Sequence, residues 1–258
     1  RSAASPDGAP CDDGEPCRGP ATCTAGTCGA PDVPPPPDLR APRNGAVPVC
    51  SVSPSLVLSW SEVLPGCPAV TYEAQVDDSC PTSGYAACGF PAPEAGAAGI
   101  TASQWSTGPL PLSPTPPVGR RYYWRVRACV EAACSVWSPV RYVEVGRAMN
   151  DLDGDGLSDF VVGAPEQDGA GVDEGAVHVY LGRRDALPSV PDLLLSHPVP
   201  QSGSQFGASL AIVGDVNADG YAAVLGGAYL QDSPRRDEGA AWLYLGGPSG
   251  PSATPSLA

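Results

Sequence analysis

The sequence predicts an all-β chain divided into several small domains. Glycine (31) and proline (32) together make about a quarter of the 258 residues, a composition that suits short strands joined by turns. No stretch carries sustained helical periodicity, whereas several carry the alternation of period two that marks half-buried strands. Ten cysteines, an even number, add the signature of a cross-linked framework.

Charge narrows the function classes. The formal charge is −14 and all 14 basic residues are arginine, scattered without a stripe. Such a chain is a poor partner for nucleic acid or anionic membranes. No apolar run approaches the ~20 residues that cross a bilayer. No leader opens the chain at Arg1, a start that removal of a signal peptide would also leave.

The cysteines are Cys11, Cys17, Cys23, Cys28, Cys50, Cys67, Cys80, Cys88, Cys129 and Cys134. None forms the C-x-x-C pair typical of zinc sites, so disulfides in an oxidising compartment are expected for all ten. Localisation follows: secreted or cell surface. Residues 1–30 hold four of them among almost no apolar residues, so two cross-links must stand in for a core. Their pairing is open to three combinations. The segment resembles small cysteine-rich repeats of secreted myxobacterial proteins through "PCDDGEPC". Asp12, Asp13 and Glu15 there read as a solvated turn. Residues 31–38, "PDVPPPPD", form a polyproline spacer.

Residues 39–147 read as a β-sandwich. "SLVLSWSEV" from Ser55, "VTYEAQVDD" from Val70 and "RYYWRVRACV" from Arg121 alternate with period two. In the last, Tyr122, Trp124, Val126 and Ala128 are expected to face inward, and Tyr123, Arg125 and Arg127 outward. Trp60 and the run Tyr122-x-Trp124, with the later "SVWSP", resemble the fibronectin type III family. That resemblance implies a corner tyrosine at Tyr122 whose hydroxyl bonds to nearby backbone. Pairing of chain neighbours, 50–67, 80–88 and 129–134, would close three small loops. Trp105 reads as a packed loop aromatic rather than a glycan platform.

From residue 148 the sequence repeats. "DLDGDGLSDFVVGAP" at Asp151 returns as "DVNADGYAAVLGGAY" at Asp215, and "DEGAVHVYLG" at Asp173 as "DEGAAWLYLG" at Asp237, both 64 residues on. In the first loop, side chains at positions 1, 3, 5 and 9 and the carbonyl at 7 can converge on one cation, with Gly156 at position 6 permitting the sharp turn. These donors are Asp151, Asp153, Asp155, Asp159 and the Leu157 carbonyl. All are hard oxygens, which selects calcium. Val162 stands where an EF-hand needs glutamate, so a β-loop-β site is expected. The second loop offers Asp215, Asn217, Asp219 and the Tyr221 carbonyl, with Ala223 at position 9, and is expected to bind more weakly.

The loop followed by "FVVGAP", together with Phe206–Gly207 and the variant Gly227–Ala228–Tyr229, resembles the FG-GAP repeats of integrin α-subunits. The resemblance covers residues 148–258. It implies four-stranded propeller blades braced by calcium loops, and no enzymatic activity. Fewer than two full periods are present, so an incomplete propeller is expected, completed by further chain or by copies of itself. His178 falls where the next repeat has Trp242, a packing position, and His197 has no evident acid partner. The expected function is a non-catalytic adhesion or recognition module for an extracellular protein or glycan. The alternatives are a structural subunit of an extracellular filament and the accessory region of a larger secreted hydrolase.

Overall fold

The computed structural model describes residues 10–11, 21–24, 27–29, 33–48, 54–63, 70–130 and 133–256. They form an all-β chain with several antiparallel sheets and no α-helix among the described residues. The chain divides into two compact units. Residues up to Pro111 and Arg121–Glu144 make the first; Leu112–Arg120 and Val145–Ala258 make the second.

In the first unit, β1 (Pro10–Cys11), β2 (Ala21–Thr24) and β3 (Thr27–Gly29) form a small antiparallel sheet. A second sheet joins β4 (Leu39–Ala41), β5 (Ser55–Trp60) and β8 (Gln104–Pro109) in the order β4-β5-β8. A third contains β6 (Val70–Asp77), β7 (Ala95–Ile100), β9 (Arg120–Val130), β10 (Ala133–Cys134) and β11 (Arg141–Val145). Its order is β10-β9-β6-β7, with β11 also on β9. The alternation seen in sequence sets the core: Leu56, Leu58 and Trp60 of β5, Tyr72 and Ala74 of β6, and Trp124 and Val126 of β9 are all buried. The Trp60 and Tyr72 rings meet at 5.3 Å, so the two sheets share these aromatics. The Tyr122 hydroxyl donates to the Pro111 carbonyl. Trp105 is half-buried on β8, paired opposite Leu58.

One expectation is corrected here. Tyr123 does not face solvent; it is buried against Tyr85, Phe90 and the Cys80–Cys88 disulfide. The excursion between β6 and β7 folds back over the outer face of the sheet and supplies that cover. Arg125 and Arg127 do lie on that outer face. The Arg125 guanidinium sits 4.2 Å over Phe90 and 4.4 Å over Trp137, and that of Arg127 4.6 Å over Trp137. Of the expected disulfides, 80–88 and 129–134 are formed. The pairing of Cys11, Cys17, Cys23, Cys28, Cys50 and Cys67 lies outside the described residues.

The second unit holds two three-stranded sheets. The first runs β12 (Phe160–Ala164), β13 (Ala176–Tyr180), β14 (Leu193–Ser196); the second runs β15 (Ser209–Ile212), β16 (Val224–Ala228), β17 (Ala240–Tyr244). β12 and β13 return 64 residues later as β16 and β17. Even a loop hydrogen bond repeats: Asp192 N–H donates to the Val179 carbonyl, and Ser256 N–H to that of Leu243, each at 2.8 Å. Because side chains alternate across a strand, each sheet has two apolar faces. Val161, Val177, Val179 and Leu195 of the first sheet pack against Val224, Trp242 and Tyr244 of the second. The opposite face of the first sheet leaves Phe160, Val162 and Leu194 exposed, with Phe160 stacked on Tyr180 at 4.6 Å.

Candidate metal centre

The first acidic loop spans the turn before β12. Left-handed backbone at Asn150, Gly154 and Gly156 coils it tightly, and Asp159 N–H closes it onto the Asn150 carbonyl at 2.9 Å. Its carboxylates hold the backbone in turn. Asp151 accepts from Gly154 N–H at 2.7 Å and Gly156 N–H at 2.9 Å. Asp153 accepts from Asp155 N–H at 3.1 Å, and Asp155 from Leu157 N–H at 2.8 Å. Asp159 accepts from Leu152 N–H at 2.5 Å and from Gly182 N–H at 2.7 Å.

The loop is also tied to the rest of its unit. Leu152 is fully buried between the two sheets. Ala222 N–H donates to the Asp151 carbonyl at 2.7 Å, and Gly247 N–H to the Leu152 carbonyl at 3.1 Å. Val118 N–H donates to the Gly154 carbonyl at 2.8 Å. Gly182 has to be glycine, since a Cβ there would lie 2.6 Å from the Ser158 carbonyl oxygen.

Asp151, Asp153 and Asp159 place one carboxylate oxygen each within 4.8 Å of the others, and Asp151 and Asp159 are buried. Burial, followed by the neighbouring carboxylates, pushes Asp151 and Asp159 up to about 6, while their backbone N–H partners pull the other way. Asp153 is also raised, again chiefly by burial. Three hard oxygens at this spacing, two of them on buried residues, fit a calcium-like cation, whose charge offsets both the desolvation and the mutual repulsion. Asp155, the fourth expected side-chain donor, is not in this group.

The second loop repeats the backbone frame but not the donor set. Asp215 accepts from Asp219 N–H at 3.1 Å and Gly220 N–H at 3.0 Å, and Asp219 from Tyr221 N–H at 3.0 Å. The Asn217 amide donates to the Asp219 carboxylate at 2.8 Å. Ala223, at position 9, is buried and has no side-chain oxygen to offer. The Arg147 guanidinium donates to Asp215 at 2.9 Å. Sequence reasoning did not find Arg147, Gly182 or Val118. In the sequence, Asn217 at position 3 and Ala223 at position 9 signalled that this loop differs.

Asp77, Asp78 and Glu94 form another close acidic group at the neck of the β6–β7 excursion. Its carboxylates hold the turn: Asp77 accepts from Ser79 and Ala92 N–H, and Glu94 from Asp78 N–H. His178 shares a 2.6 Å hydrogen bond with Gln167. His197 is buried edge-on to Trp242 and Phe206, and burial pulls its pKa down.

Comparison with known proteins agrees with this geometry. Residues 150–180 match the FG-GAP repeat. This match spans the acidic loop, β12 and β13. The chain is 38% identical over 107 residues to Integrin alpha-PS5 of Drosophila melanogaster, covering 41% of this chain and 10% of that protein. It is 35% identical over 111 residues to Integrin alpha-5 of Xenopus laevis, with the same two shares. Integrin alpha-IIb of Homo sapiens is 41% identical over 81 residues, 31% of this chain and 8% of that protein. The chain thus spans about a tenth of the length of these curated relatives.

Proposed function

We propose that the chain is a non-catalytic extracellular recognition module whose FG-GAP repeats are braced by calcium at the Asp151 loop. The convergence of Asp151, Asp153 and Asp159 in a loop bonded to the segments that flank β13, β16 and β17 carries this reading. A cation there would hold Asp159, and through it Gly182 at the end of β13, in register with Asp151 at the loop's start. Leu157 and Asp155 stand at the positions from which further oxygens would complete the shell. Similarity to integrin α-subunits supports an extracellular protein or glycan as the ligand class, and the two disulfides support a secreted or surface location.

In this reading residues 39–147 form a fibronectin type III-like spacer and residues 1–30 a disulfide-held module. The Tyr122 hydroxyl on the Pro111 carbonyl supports the spacer assignment. The experiment is calcium titration calorimetry on the 258-residue chain, followed by capture of extracellular glycoproteins and glycans with and without calcium. The expected result is calcium binding that Asp153→Ala removes, and ligand capture that chelation removes. Absence of calcium binding, or capture indifferent to calcium, overturns the reading.

The exposed Phe160, Val162 and Leu194 favour a second reading, a subunit that associates with copies of itself through the outer face of the first sheet. Light scattering decides it: a concentration-independent monomer excludes self-association.

A further inference from the structure

We propose that Arg147 is the resident cation of the second acidic loop, so that this loop is closed by a guanidinium and takes no calcium. The inference deepens the calcium reading of the first loop and rests on the same reading of the repeat.

Three observations carry it. The ion pair is enclosed: the side chains of Arg147 and Asp215 are only 12% and 10% exposed. A pair so placed is unlike the solvated surface pairs that hold little. Two glycines border the Arg147 side chain, although a Cβ at Gly119 would meet the Val145 carbonyl oxygen first, at 2.6 Å. At Gly119, in left-handed backbone, a Cβ would meet the Arg147 Cγ at 2.8 Å. At Gly220 a Cβ would meet the Arg147 Nη2 at 3.2 Å. The 64-residue equivalent of Gly220 is Gly156, whose corresponding approach is to the Val118 side chain, also at 3.2 Å. A Cβ at Gly220 would meet the Pro117 ring closer still, at 2.5 Å, so both loops pack on an aliphatic group here and the guanidinium is an added neighbour of the second loop alone.

The charges agree with this assignment. The first loop carries Asp151, Asp153, Asp155 and Asp159, while the second carries only Asp215 and Asp219. A single guanidinium halves the second loop's charge, as a divalent ion would halve that of the first. Both loops nonetheless keep the same backbone frame. Gly156 N–H on Asp151 and Leu157 N–H on Asp155 recur as Gly220 N–H on Asp215 and Tyr221 N–H on Asp219. Arg147 therefore allows one loop of the pair to hold its shape when calcium is withdrawn, and leaves the other as the calcium-dependent element.

The test is calcium titration calorimetry in a background where Asp153→Asn and Asp155→Asn disable the first loop. A calcium site gained between variants of this background then belongs to the second loop, and whether the first loop binds calcium is read separately on the unmodified chain. In this background the parent and Ala223→Asp are expected to show no binding. Ala223→Asp with Arg147→Gln is expected to show one site. Binding by Ala223→Asp alone as tight as that of the double variant overturns the proposal, as does failure of a folded double variant to bind. A second measurement guards against a double variant that does not fold. Arg147→Gln alone, in calcium-free buffer, should lower the melting temperature of the second unit, because it removes the positive charge paired with the enclosed Asp215 carboxylate. An unchanged melting temperature would also overturn the assignment.

Discussion

Gly163 lies against the backbone of Gly207. A Cβ at position 163 would sit 2.0 Å from the Gly207 carbonyl oxygen and 3.0 Å from its carbonyl carbon. Gly163 opens the "GAP" of the first repeat, and Gly207 closes the "FG" that precedes β15. The contact explains why both motifs are spelled with glycine. The edge of one sheet meets the lead-in to the next at backbone distance, with Gly207 in left-handed conformation at φ 90. A parallel bridge between Gly175 and Phe206 makes a second such approach one strand away.

Gly163→Ala is therefore expected to destabilise the second unit by about 2–3 kcal/mol, since backbone on the far side cannot move without separating the sheets. Gly227, its equivalent in the second repeat, would meet only the exposed Ser209 hydroxyl, at 2.4 Å. That hydroxyl can rotate away, so Gly227→Ala should cost under about 1 kcal/mol. Scanning calorimetry of the two variants checks the ranking, and equal losses would mean the sheets part more easily than the contact suggests.

The Cys80–Cys88 disulfide closes the excursion that covers Tyr123, with eight residues of sequence separation. Loop-closure entropy for a ring of this size is worth about 2.5 kcal/mol. The Cys80→Ser, Cys88→Ser double variant should lose roughly that much stability in the first unit. It should also open Tyr123 and Tyr85 to solvent, which tyrosine accessibility to a nitrating reagent would report. Mass spectrometry of the unmodified chain is expected to find no alkylatable thiol among its ten cysteines.

The elements legible in sequence were those whose reason is local. Alternation placed Tyr122, Trp124, Val126 and Ala128 in the core, and the 64-residue repeat placed β12, β13, β16 and β17. Spacing within nine residues identified Asp151, Asp153 and Asp159, because a loop that short, with glycines at 154 and 156, must curl its carboxylates inward. Tyr123 was misread because its cover comes from a proline- and glycine-rich excursion that carries no periodic signal and folds back only as a tertiary event. Arg147 was missed because its partner lies 68 residues away and nothing around either residue encodes the meeting. Asp155 accepts from Leu157 N–H and stands outside the close group, a side-chain placement that position counting alone does not give.

The last prediction concerns pH. In the calcium-free protein Asp151 and Asp159 titrate near 6, above the ordinary value of 3.8. The folded state therefore binds protons more tightly than the unfolded chain between about pH 4 and 6. Stability should rise as pH falls through this window, and the penalty of the two buried charges should be fully present above pH 6. Because neighbouring carboxylates couple the two titrations, their shifts do not simply add, so the gain from pH 7.5 to 4.5 is on the order of 1–3 kcal/mol. Calcium should reverse the trend. It binds the ionised carboxylates, so its affinity should fall as pH drops below 6, and at saturating calcium the second unit should be more stable at pH 7.5 than at 4.5. Calorimetric melting at the two pH values, with chelator and with calcium, gives four numbers that test the sign directly. A chelated protein whose second unit melts higher at pH 7.5 than at 4.5 would show that burial does not penalise these carboxylates as charged groups.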